Sequence, residues 1–153
     1  MNGRVAAIFI CSAAGEPMQE VKEVWAITSQ GLEGDRYATG DGSFNRGKPG
    51  KRQVTLINAR FFEGSGFELA ESRRNIVTRD VELMSLIGND FQIGTAWFRG
   101  VKYCDPCTRP NTLSGNRRIF KEVFQDCGGL IAEVIKDGVI KTDDEIVPPP
   151  KGY

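Results

Sequence analysis

The sequence predicts a mostly β protein whose strands close, or nearly close, into a β-barrel with one to three short helices. Three observations carry this. Roughly eight short apolar or β-branched runs recur along the chain, too short for helices of ordinary length. Strands do not alternate with helical stretches, which argues against parallel βαβ units. Glycine supplies 18 of 153 residues, about 12% against a usual ~7%, which favours turns over long helices. Closure suits many short strands because it leaves no row of unpaired edge groups.

Val5–Ile10 reads as a first buried strand and Ala14-Gly15-Glu16-Pro17 as a turn. Met18–Ile27 alternates, with Val21, Val24 and Ala26 apolar around Lys22 and Glu23, and fits one strand with room for a bulge. Residues 31–50 are Gly-rich and carry Arg36, Arg46 and Lys48, with Lys51 just beyond. This stretch is too long for a tight turn, and loops of such length are usually functional or disordered. Gln53–Asn58 (QVTLIN) is a β-branched strand, Ala59–Leu69 a short helix or loop, and Asn75–Thr78 (NIVT) another short strand. Val81–Leu86 suits a helical turn ended by Gly88, and Phe91–Ile93 and Thr95–Val101 read as strands either side of Gly94.

Ser114–Gln125 is the clearest helix: Ser114 can cap it, Ile119, Val123 and Phe124 form an apolar face, and Gly128-Gly129 end it. Leu130–Lys136 and Val139–Ile140 read as a hairpin around Asp137-Gly138, a strong turn signal. The length suits one domain over 1–153, with 146–153 expected as a flexible Pro-rich tail around Pro148-Pro149-Pro150.

Composition excludes several function classes. Twenty basic and twenty acidic residues give zero formal charge, so no global field steers the chain onto nucleic acid. There is no histidine, so no Ser-His or Cys-His nucleophile pair and no His-ligated metal can form within the chain. Chemistry at neutral pH falls to cysteine, a perturbed carboxylate or lysine, or a bound cofactor. Cys11, Cys104, Cys107 and Cys127 are read as reduced thiols of a cytoplasmic protein, because a chain this long needs no disulfide framework. Arg4 followed by apolar Val5–Cys11 and Ser12-Ala13-Ala14 has the outline of a short signal peptide, but a buried strand explains it as well. No run approaches the ~20 apolar residues of a membrane span.

The sharpest local signal is Tyr103-Cys104-Asp105-Pro106-Cys107-Thr108-Arg109. Two thiols three apart can form a disulfide, supply half a zinc site, or present one reactive thiolate beside a resolving partner. A zinc site needs four ligands, and Cys11 and Cys127 are single and distant, so zinc is not expected. Lys102 and Arg109 favour the thiolate form in this motif and Asp105 opposes it. A thiolate ligates molybdenum or copper well and carries persulfide sulfur. Arg73-Arg74-Asn75 offers two guanidinium groups and an amide at a strand entry, suited to a phosphate or pterin-like ligand or simply to solvent. Asp35, between Gly34 and Arg36, suits either a ligand site or a loop organiser.

Taken in order, these pieces resemble a MOSC domain, the module named for the C-terminal part of molybdenum cofactor sulfurase. The resemblance runs through GLEGDRYA at 31–38, RQVTLI at 52–57, RRNIVT at 73–78 and LIGNDFQIG at 86–94. It continues through CDPC at 104–107 and GGLIAEVIKDGVIKTDDEIV at 128–147. It implies a barrel of the MOSC, pyruvate-kinase-barrel-like type, with the family's key cysteine at Cys107 and Cys104 beside it. Such domains are proposed to carry persulfide sulfur, received from a pyridoxal-phosphate cysteine desulfurase and passed to a metal–sulfur centre. In the amidoxime-reducing relatives the equivalent cysteine ligates molybdenum of a pterin cofactor.

By that resemblance Cys107 is the sulfur carrier or metal ligand. Arg73, Arg74, Asn75 and Thr78, with Asp35 and Arg36, are expected to hold the cofactor, with no haem or nucleotide. The implied partner is the desulfurase, a molybdoenzyme or an electron-donor protein, without nucleic acid or membrane. As an enzyme the chain would be a sulfur transferase or a molybdenum-dependent reductase. Asp80 and Asp143 stand where relatives often have Gly, and Tyr37 where they often have His. Two other readings stay open: a cofactor-free CxxC dithiol redox protein, and a non-catalytic binding barrel whose site has decayed.

Overall fold

The structure, a computed structural model, describes residues 3–13, 15–39, 52–104 and 128–148. Eleven strands dominate: β1 Gly3–Ile10, β2 Gln19–Val21, β3 Glu23–Ile27, β4 Gly31–Leu32, β5 Val54–Asn58, β6 Ile76–Arg79, β7 Asp90–Ile93, β8 Ala96–Tyr103, β9 Leu130–Lys136, β10 Gly138–Lys141 and β11 Glu145–Val147. Among the described residues the helical elements are one turn, α1 (Arg36–Thr39), and three 3₁₀ turns at Ala59–Phe62, Leu69–Ser72 and Leu83–Leu86.

Seven strands close into a barrel in the order β1-β11-β7-β8-β9-β5-β6 and back to β1, with β2 added outside the ring on β1. All its pairings are antiparallel except β5–β6, where Leu56, Ile57 and Asn58 run alongside Ile76, Val77 and Thr78. β5 is buried along its whole length, as expected of a β-branched strand next to a parallel partner. The barrel core is apolar, with Val5, Ile8, Leu56, Ile76, Phe91, Phe98, Leu130 and Ile146 among its fully buried members. Phe91 and Phe98 stack there with ring centres 5.6 Å apart. A smaller core lies under the 59–72 segment, where Phe62 and Phe67 cover the other face of Ala7, Phe9, Ile57 and Val77. Val5–Cys11 is thus buried on both faces, which is why it reads as a continuous apolar run.

Three expectations need correction. Asp137-Gly138 does not join a hairpin: β10 pairs with β3, Val139 opposite Trp25 and Ile140 opposite Val24, in a separate three-stranded sheet β10-β3-β4. Both edges of β9 are already taken by β8 and β5, and neither Asp137 nor Gly138 adopts the positive φ that a type I′ turn needs. Gly138 serves close approach instead, since an added Cβ would lie 2.4 Å from the Ala96 nitrogen. The Asp137 carboxylate accepts the backbone N–H and hydroxyl of Thr28, fixing where the chain crosses between sheets.

Met18–Ile27 is not one strand but two, broken at Lys22, with β2 on the barrel and β3 in the small sheet. Ile146 and Val147, expected in the tail, form β11, and Ile146 is fully buried between Gly3 and Ile93. The helix expected at Ser114–Gln125 lies outside the described residues. Among the described residues no helix is long and apolar enough to cross a membrane.

Candidate functional site

The C-terminal end of β1 runs antiparallel to β6, so Cys11 emerges beside the residues that precede Asn75. Arg73 sits there in the left-handed region at φ 60°, turning the chain from the 3₁₀ turn 69–72 into β6. From that position its Nη2 donates to the Cys11 sulfur at 3.5 Å. Asp35 is fully buried in the same place, and its carboxylate accepts the Cys11 N–H at 3.0 Å, Arg36 Nη1 at 3.0 Å and the Tyr37 N–H at 3.3 Å.

Arg36 is also buried. Its Nη2 donates to the Tyr37 hydroxyl and to the Arg73 carbonyl, both at 3.0 Å, and its guanidinium lies 4.2 Å from the Tyr37 ring centre. Burial alone would push this guanidinium's pKa down, but the Tyr37 phenol, the Asp35 carboxylate and the Cys11 sulfur raise it above its ordinary value. Arg36 therefore stays charged, held by Tyr37 and Asp35 with the Cys11 sulfur beside them.

Arg74 completes the neighbourhood from the other side. It is buried, and its Nε donates to the Gly128 carbonyl at 2.8 Å. The Gly128 N–H donates to the Tyr103 hydroxyl at 3.0 Å, and the Cys104 N–H to the Gly129 carbonyl at 2.9 Å. Gly129, at φ 109°, packs so tightly on β5 that a Cβ would fall 1.9 Å from the Leu56 oxygen. Cys104 and Gly128, which bracket residues 105–127, thus meet at the same end of the barrel as Arg73 and Arg74. Cys104 is 1% exposed and, like Cys11, not in a disulfide. Cys107 itself lies outside the described residues, as do Arg46, Lys48 and Lys51.

Two candidates are committed to the fold. The Asn75 side chain accepts the Thr55 N–H at 3.0 Å and the Thr55 hydroxyl at 3.2 Å, and donates to the Phe9 carbonyl at 3.1 Å. It therefore ties β5, β6 and β1 together. Thr78 is three residues further along β6, roughly 10 Å away at strand spacing. Its hydroxyl donates to Asn58 Oδ1 at 2.8 Å, away from the arginine cluster. Asp80 and Asp143 both adopt positive φ, 61° and 73°, a conformation that glycine meets without cost. Asp80 follows the last residue of β6, and Asp143 binds Arg79 at 2.9 Å, so both lie beyond the β6 end remote from Asn75.

Sequence reasoning missed Cys11. It is a lone cysteine 62 residues from Arg73, and no spacing rule links the two. Only the β1–β6 pairing brings them together.

The family model for the MOSC domain matches residues 51–147. The chain belongs to the MOSC domain family. Solved structures share the fold. The YuaD protein from Bacillus subtilis superposes with a TM-score of 0.78 at 15% identity, covering 95% of this chain and 94% of that one. YiiM from Geobacillus stearothermophilus gives 0.71 at 15% identity, covering 99% and 77%. YiiM from Escherichia coli gives 0.64 at 19% identity, covering 97% and 70%. At these identities the likeness is one of fold. No curated protein matches the sequence. The MOSC barrel here gathers three guanidinium groups (Arg36, Arg73 and Arg74), two buried thiols and one carboxylate at one end, an arrangement suited to an anion.

Proposed function

We propose that this MOSC protein works through the Cys107 thiolate at the arginine-lined end of its barrel. There Cys107 carries persulfide sulfur or ligates molybdenum of a pterin cofactor. One observation supports this above the others: the residues on either side of segment 105–127 are anchored together beside Arg73 and Arg74, through Arg74–Gly128 and Cys104–Gly129. Three peptide units can carry the Cys107 Cα at most roughly 11 Å from that of Cys104. A soft thiolate and three guanidinium groups fit an anionic metal–pterin group in donor type and sign.

Arg73 is the residue best placed to contact the cofactor's anionic part, while Arg36 and Arg74 maintain the positive lining. Bound there, such a group supplies two-electron redox chemistry, and reduction would draw electrons from a partner protein.

As a carrier, the Cys107 thiolate attacks the outer sulfur of a donor persulfide. The donor S–S bond breaks, a new S–S bond forms on Cys107, and the donor leaves as thiolate, with no net oxidation. A pyridoxal-phosphate cysteine desulfurase is the matching donor. Four cysteines in a chain long enough to fold without a disulfide framework fit a reducing compartment such as the cytoplasm. Burial of Cys104 weighs against a dithiol couple, which needs an accessible exchanging sulfur.

The test is molybdenum, pterin and cyanolysable-sulfur analysis of protein from a molybdenum-replete host, beside Cys107→Ala. Metal or labile sulfur in the parent and its loss in the variant is the expected outcome. Retention of both in the variant, or absence of both in the parent, overturns the proposal.

A further inference from the structure

At the opposite end of β5 and β6 lies a cavity of ≈ 220 Å³, lined by Asn58, Arg60, Arg79, Asp80, Val81 and Glu82. β5 and β6 are the barrel's parallel pair, and both strands end here, at Asn58 and Arg79. Asn58 is only 5% exposed. Its Oδ1 accepts the Thr78 hydroxyl at 2.8 Å, but its Nδ2 has no hydrogen-bond partner among the described residues. Among the described residues no unpartnered side-chain nitrogen or oxygen is sealed from solvent, so this amide nitrogen is accessible, on a residue that lines the cavity. A donor left open in this way can be met by a ligand's acceptor in place of water.

The rest of the lining defines what would meet it. Arg79 is taken by Asp143 at 2.9 Å, and Arg60 stands only loosely by Glu82 at 3.9 Å, both largely exposed. Asp80 forms no ion pair among the described residues. With Asp143 counted beside Arg79, the carboxylates outnumber the cations by one, so the cavity disfavours a phosphate-like anion. An open amide donor beside Arg60 suits a carboxylate, and the Asp80 carboxylate suits an ammonium group. The volume is below the roughly 300–1,000 Å³ of drug-sized pockets, which limits the occupant to a small molecule.

We propose that this cavity is a second ligand site for a free α-amino acid, its carboxylate held by Asn58 and Arg60 and its ammonium by Asp80. The site is independent of the thiol end of the barrel.

The test is an NMR titration of the full chain with each proteinogenic L-α-amino acid in turn. At least one should bind, shifting the Asn58 side-chain amide and the Asp80 backbone amide, and its N-acetyl derivative should not. Removing Asn58 also takes the shorter of two acceptors from the Thr78 hydroxyl, so the decisive variant is Asp80→Asn, which keeps a residue tolerant of positive φ. It should weaken binding about tenfold or more, as loss of a charge-assisted hydrogen bond does. Cys107→Ala should leave the titration unchanged. No binding by any amino acid, shifts confined to the Arg73–Arg74 end, or unaltered affinity in Asp80→Asn overturns the proposal.

Discussion

Arg74 and Gly128, 54 residues apart in the chain, are joined by a 2.8 Å hydrogen bond from the guanidinium Nε to the carbonyl oxygen. That bond ties the entry of β6 to the segment leading into β9. It makes Arg74 a structural arginine. Arg74→Lys replaces a planar fork with a single ammonium that cannot reproduce the Nε geometry. The expected loss is about 1–3 kcal/mol, the usual cost of an orphaned buried acceptor, read from the urea midpoint of the unliganded protein. An unchanged midpoint would show that Arg74 does not support the fold.

Asn75 joins three strands through one amide. Asn75→Ala leaves the Thr55 N–H and the Phe9 carbonyl without their side-chain partner inside the protein. Two orphaned buried groups should cost roughly 2–5 kcal/mol. The loss should be the same with or without molybdenum in the growth medium. Destabilisation confined to the metal-replete preparation would instead make Asn75 a cofactor residue.

Gly129 has no room for a side chain. With φ at 109° and the Leu56 oxygen 1.9 Å from an ideal Cβ, Gly129→Ala must displace backbone on β5 or β9. The expected penalty exceeds about 4 kcal/mol, enough to leave a marginal domain largely unfolded. Circular dichroism with a thermal scan decides it, and a native-like melt contradicts the packing described.

Asp137 carries a pH dependence. Its carboxyl is held below the ordinary value of 3.8 by hydrogen bonds from the Thr28 hydroxyl and N–H. A carboxyl depressed in the folded state contributes stability that is present above its unfolded pKa and lost as pH falls through the folded value. Asp137→Asn keeps an acceptor but no charge, so it should melt below the parent at neutral pH. The two melting curves should converge in acid, below about pH 4. A difference constant with pH would show that the charge plays no part.

Much of the barrel was legible in local sequence. QVTLIN and NIVT became β5 and β6 because β-branched runs fit a buried pleated surface. The Gly94 turn joined β7 to β8, with Ile93 opposite Ala96. Asp137-Gly138 misled because a hairpin signal describes what two residues permit and says nothing of whether the flanking strand has a free edge. For the candidate site, residue types pointed to Arg73, Arg74 and Asp35, but their partners were not readable. Cys11, Gly128 and Tyr103 are remote in sequence and carry no motif that names an arginine.

Sequence alone determined the residue chemistry: no histidine, no net charge, a CxxC motif, paired arginines, and short strands that must close upon one another. These follow from composition and from periodicity within a few residues. Tertiary structure decided which strand pairs with which, that Asn75 binds backbone, and that Cys11 joins Arg73 and Arg36. It also decided that Asn58 and Asp80 share a cavity at the far end. Those outcomes depend on hydrogen-bonding edges and burial that exist only once distant segments have met.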